Sequence, residues 1–206
     1  MLNKVLEFLS IPIMILNIAG GIAGGIWLAI LGEWTLIVIG VLLFFISHWI
    51  LSIIMLPNLL IAGIASHLYE RKNPLAPFLG FLSQLYINLL IVGTCVFAFF
   101  ICSHYYSGET SITYVPYLLW SWGMALGPWQ FFASKEPDNE FFSITLFSAS
   151  VFYFLFLTSI FISPILRLII IVIFGAVQLL ILPIFNMYIA HKLEITSHSE
   201  NFINKD

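Results

Sequence analysis

Gln84, Asn88, Cys95 and Cys102 share one long apolar stretch, and at about 100° per helical residue they fall within about 40° of arc on one face. An amide left unpaired in hydrocarbon costs several kcal/mol, so such a stripe must face protein or water. Asn17, His48 and Asn88 each stand eight to ten residues from the end of their own apolar run, which sets three polar groups at about 12 to 15 Å from one membrane surface. Gln178 adds a carboxamide near the middle of the last run. Together Asn17, His48, Gln84, Asn88 and Gln178 form a candidate intramembrane polar cluster. It would line a path for a neutral or weakly charged solute, with His48 as its group titrating near neutral pH. The competing reading is interhelical hydrogen bonding, at about 0.6 kcal/mol per bond. Uncharged amides serve packing more often than transport, so packing is preferred.

Other chemistries lack their residues. No Asp or Glu lies inside an apolar run, whereas ion-coupled carriers need such a carboxylate or unwound helices. Voltage sensing would need an Arg-rich helix. His48 is the one histidine deep in a run, which argues against bis-histidine haem, and no HExxH or CxxC spacing marks a zinc site. Ser47 adjoins His48 without facing it, and Ser52 reaches it only along the helix. The expectation is therefore a protein that is not an enzyme and carries no cofactor or metal. Glu136, Asp138 and Glu140 read as a solvated turn begun by Pro137 rather than a cation site. Without a block of basic residues, nucleic acid is not an expected partner.

Two features point to contacts rather than chemistry. Gly20, Gly21, Gly24 and Gly25 make two overlapping GxxxG pairs, which let helices approach backbone to backbone. The default partner is a helix of the same chain, and a homo-oligomer is the other use of such a face. Past Pro57 the sequence stays apolar to Tyr69, so Thr35–Tyr69 as one straight helix would be about 52 Å long. Pro57 removes a backbone donor and predicts a kink. Beyond it, Leu60, Ile64 and Leu68 are covered either by lipid at the inner interface or by a protein partner in the cytosol.

The elements that carry these residues follow from composition. Of the 206 residues, 61% are hydrophobic and 8% charged, against about 25% charged in soluble domains. All seven basic and ten acidic side chains fall between the apolar runs. The expected fold is an all-α, polytopic transmembrane helix bundle in one domain over 1–190, with a polar tail over 191–206. Spans of the ~17–25 residues that cross a bilayer are predicted near 8–31, 35–56, 78–102, 116–133, 141–163 and 168–190. The fourth is the weakest, being short and holding Gly123, Gly127 and Pro128, and a re-entrant or interfacial segment is its alternative. With six crossings and both termini cytoplasmic, Lys4, Arg71, Lys72, Lys135, Lys192 and Lys205 lie inside and Arg167 alone lies outside. Without the fourth crossing the bias falls to four against three, so the positive-inside rule favours six. Trp34, Tyr105, Tyr106, Tyr114, Tyr117, Trp120 and Trp122 then gather near the outer surface as an aromatic belt.

The first apolar run is about twice a signal-peptide core and reads as a retained helix. Small size and short loops suggest a bacterial inner membrane. The preferred function is a non-enzymatic integral membrane subunit, an oligomeric scaffold, anchor or envelope sensor acting with a cytosolic protein, as in bacterial defence or signalling assemblies. A small uncoupled channel or transporter is the alternative.

Overall fold

A computed structural model describes residues 2–108, 111–135, 140–159, 161–185 and 187–188, with side chains described except at 2–11, 13, 48, 111, 131–135 and 140–143. Asn186, Glu136, Asp138 and the tail over 191–206 lie outside the described residues. Among the described residues all regular structure is helical. Seven α-helices run α1 Leu2–Ile30, α2 Trp34–Ile54, α3 Leu56–Glu70, α4 Ala76–Tyr105, α5 Ser111–Lys135, α6 Glu140–Ser159 and α7 Pro164–Ala176, and α7 continues into a π-helical turn, Val177–Ile181. Among the described residues, three helical stretches are long and apolar enough to cross a membrane: Trp49–Glu70, Ala76–Tyr105 and Pro164–Phe185.

The segment 116–133 sits within a continuous 25-residue helix, α5, despite Pro116 and Pro128. It packs against α1, α2, α4 and α6, and Leu118, Trp122, Ala125, Leu126 and Trp129 along it are almost fully buried. A helix wrapped by other helices needs close fit more than continuous hydrophobicity. Small residues supply that fit, because they bring backbones together. Gly40 on α2 meets Trp120 and Met124, and a Cβ on Gly127 would stand 2.8 Å from the Phe44 ring. Tyr117 and Trp122, expected in the outer belt, are buried within the bundle.

Pro57 breaks the long second stretch where expected. α2 ends at Ile54, and α3 starts with Pro57 in its first turn, where a missing N–H costs least. The Ile54 carbonyl at the break accepts a hydrogen bond from the Tyr86 hydroxyl, 2.7 Å. α3 then packs chiefly on α4 through Asn58 and Ala65, one heptad apart and its only buried residues. α7 begins four residues before the predicted span. Ser163 caps it by accepting from the Ile165 N–H at 3.2 Å, with Pro164 next in the chain, a strong helix-start pair.

The register between helices shows how far each extends. Trp129 on α5 donates its indole N–H to Thr94 on α4 at 3.3 Å. From that level α5 has six residues left to Lys135, and α4 has eighteen left to Ala76. The difference of twelve residues carries α4 about 18 Å past the level of Lys135, the last described residue of α5. This end of α4 and the 15-residue α3 make a helical hairpin.

Candidate functional site

The structure divides the polar cluster among separate contacts. The Asn17 carboxamide is buried and donates from Nδ2 to Ser150 Oγ on α6 at 2.8 Å, across 133 residues of sequence. Ser150 in turn donates to the Leu146 carbonyl. Gln178, buried in the π-helical turn, donates from Nε2 to the Thr145 carbonyl, again on α6, at 3.3 Å. So α6 is the polar anchor for both α1 and the last helix. The Asn17 and Gln178 carbonyl oxygens are buried without a hydrogen-bond partner among the described residues.

Asn88 differs from both. It is 0% exposed, and neither its Nδ2 nor its Oδ1 has a hydrogen-bond partner among the described residues. Gln84, one turn away, is half-buried. The His48 side chain lies outside the described residues. The stripe on α4 does face protein: Cys95 and Cys102 are buried free thiols. No group of three or more His, Cys, Asp and Glu able to hold a metal occurs among the described residues.

Sequence reasoning passed over the polar contacts nearest the centre. Ser121 on α5 pairs with the Tyr153 hydroxyl on α6, and the Tyr153 ring stacks on Trp122 with centroids 5.9 Å apart. Single Ser and Tyr residues in apolar runs carry no signal until their partners are known. At the end of the bundle near the α1–α2 turn, Tyr117 donates to Glu33 Oε1 at 3.0 Å, and the Tyr106 ring packs edge-on against Tyr114 and Tyr117. These contacts tie the α1–α2 turn to α5.

Gly20, Gly21, Gly24 and Gly25 all face α5. A Cβ on Gly21 would stand 2.9 Å from the Gly123 Cα, one on Gly24 would stand 2.6 Å from the Trp120 backbone nitrogen, and one on Gly25 would meet the Trp120 ring at 2.8 Å. Gly20 touches Trp122 less tightly, at 3.4 Å. On α3, Leu60 and Ile64 are 69% and 55% exposed, while Leu68 is half-buried. Leu56 and Leu59 extend the exposed apolar face.

Fold and contacts together define a helical protein of membrane type, with three helical stretches among the described residues long and apolar enough to span a bilayer and a buried helix, α5, packed between α1, α2, α4 and α6. Compared with protein-family models, curated proteins and solved structures, the chain shows no match to any of them.

Proposed function

We propose that this chain is a non-enzymatic integral membrane subunit, a scaffold, anchor or envelope sensor that acts with a cytosolic protein partner. In this reading it crosses a bacterial inner membrane six times, with both termini cytoplasmic. The observation that carries it is the α3–α4 hairpin, which reaches about 18 Å past the level of Lys135 and bears the exposed side chains Leu56, Leu59, Leu60 and Ile64. Trp49–Glu70 is apolar enough to lie in lipid, but with the crossing placed at 35–56 this face stands outside the bilayer, where it calls for a protein to cover it. Positive charge at its turn, Arg71 and Lys72, agrees with a cytoplasmic position.

The bundle interior supports a structural role over conduction. A channel needs a continuous polar path, whereas Trp122, Leu126 and Trp129 fill the middle and Asn17 and Gln178 are engaged with α6. Any homo-oligomer would use a face other than the glycine face, which α5 occupies. The test is a photo-crosslinking amino acid at Leu60, with Val38 on exposed α2 as control, in membranes of the native host. A discrete protein adduct at Leu60 and lipid adducts at Val38 are expected. Lipid adducts at both positions would refute the partner, and solute flux through proteoliposomes of the pure protein would refute the structural role.

A further inference from the structure

The outer half of α7 stands away from α4. The two helices come together at the π-helical turn, which packs on α4, but hardly touch along α7 itself, while α6 packs against both. The resulting cleft has a volume of about 160 Å³ and wholly apolar walls, among them Val96 and Phe99 on α4, Phe152 and Phe156 on α6, and Ile171 and Phe174 on α7. Its lips, Val96 and Ile171, are 58% and 50% exposed, so it opens sideways on the surface that a bilayer would cover. An apolar cavity of ~150 Å³ takes up a benzene-sized apolar ligand.

A cation stands at the head of this cleft. Arg167, Ile170, Ile171 and Phe174 follow the i, i+3, i+4, i+7 spacing of one helix face, and the last three line the cleft. Arg167 forms no salt bridge among the described residues, and its Nε is buried without a hydrogen-bond partner. Beside the cleft, the Tyr114 ring packs edge-on against Phe99 in its wall, centroids 6.1 Å apart. From Arg167 to Phe174 is about 10 Å along the helix. Arg167 is also the one basic residue that the six-span topology leaves on the outer side.

We infer that this cleft is a binding site for one anionic phospholipid, its phosphate held by the Arg167 guanidinium and the first part of an acyl chain laid between α4 and α7. Guanidinium and phosphate match in charge and in hydrogen-bonding geometry, and the apolar walls match the chain. The site is independent of the α3–α4 hairpin and stands whether or not a cytosolic partner exists.

Native mass spectrometry of the delipidated full-length protein in a neutral detergent tests this, with phosphatidylglycerol, phosphatidylcholine and inorganic phosphate as probes. One phosphatidylglycerol per chain is expected, bound about tenfold more tightly than phosphatidylcholine, which offers the same phosphate but sets a choline cation beside it that offsets the attraction to Arg167. Arg167→Gln erases that preference and Arg167→Lys retains part of it. Ile171→Trp, which fills the cleft, weakens both lipids, while Ile169→Trp on the exposed side of α7 changes neither. Should Ile171→Trp not fold, Val96→Phe closes the opposite lip to the same effect. Equal binding of the two lipids, an unchanged preference in Arg167→Gln, or unchanged binding in both cleft-filling variants would overturn the site. Displacement of the lipid by millimolar inorganic phosphate would reduce it to an anion site with no chain in the cleft, which also overturns the proposal.

Discussion

Gly21 and Gly123 meet backbone to backbone: a Cβ on Gly21 would lie 2.9 Å from the Gly123 Cα. The obstacle is main chain and cannot turn aside, so a side chain there must push α1 off α5. Gly21→Val is expected to destabilise the protein by about 1–3 kcal/mol, the usual cost of overpacking a close-fitted contact. Gly63 and Gly175 have open space where a Cβ would go, and Ala at either should be neutral or raise stability by up to about 1 kcal/mol through helix propensity. Thermal unfolding in micelles separates the two outcomes. Equal effects at Gly21 and Gly175 would mean that α1 and α5 do not touch as described.

Asn88 makes the opposite prediction from an ordinary buried amide. Having no hydrogen-bond partner for either polar atom among the described residues, it bears a desolvation cost that none of them offsets. Asn88→Leu should therefore raise stability by about 1–3 kcal/mol, read as a higher unfolding temperature. A loss of stability instead would show that the carboxamide has a partner in the working protein.

How much of this was legible in the sequence depends on what each feature requires. The helices and the break at Pro57 follow from apolar runs and one missing donor, both local properties. α5 reads as the weakest of the expected spans because Gly123, Gly127 and Pro128 weaken a helix that faces lipid, whereas Gly123 and Gly127 fit one that faces other helices. Its central place rests on contacts with α1, α2, α4 and α6, which no window along the chain contains. The polar residues Asn17, Asn88 and Gln178 were visible as a type, yet their partners were not. Asn17 finds Ser150 at a separation of 133 residues, and Gln178 finds a backbone carbonyl, which every residue offers. The early start of α7 was readable from Ser163–Pro164 but masked by the longer apolar window.

The two cysteines offer an inexpensive check on the α4 stripe. Both are buried, Cys102 at 1% exposure and Cys95 at 4%, on the face turned into the bundle. Neither thiol should react with a charged maleimide in intact micelles, and both should react once the protein is unfolded, because labelling needs an exposed thiolate. Labelling of either in the folded protein would require water to reach the α4 stripe, and would revive a polar path through the bundle.

The last prediction concerns what holds the hairpin together. Ser83 donates its hydroxyl to Asn58 Oδ1 at 2.8 Å, and both residues are buried between α3 and α4. Asn58 is one of only two buried residues on α3, so this bond fixes the register of a helix with little other packing. Ser83→Ala leaves the Asn58 oxygen unpaired and should cost about 1–3 kcal/mol. Asn58→Leu with Ser83→Ala removes both polar groups and should cost less than the two single changes added together, a coupling of about 0.5–1.5 kcal/mol. Leu60→Gln on the exposed face of the same helix should stay within about 0.5 kcal/mol of the native protein, as surface changes do, while weakening a crosslink to the proposed partner made from a photo-crosslinking amino acid at the neighbouring exposed Ile64. A large loss of stability at Leu60 would instead place that side chain in a packed core or in lipid. Additive effects at Asn58 and Ser83 would mean that α3 is held by its apolar contacts alone.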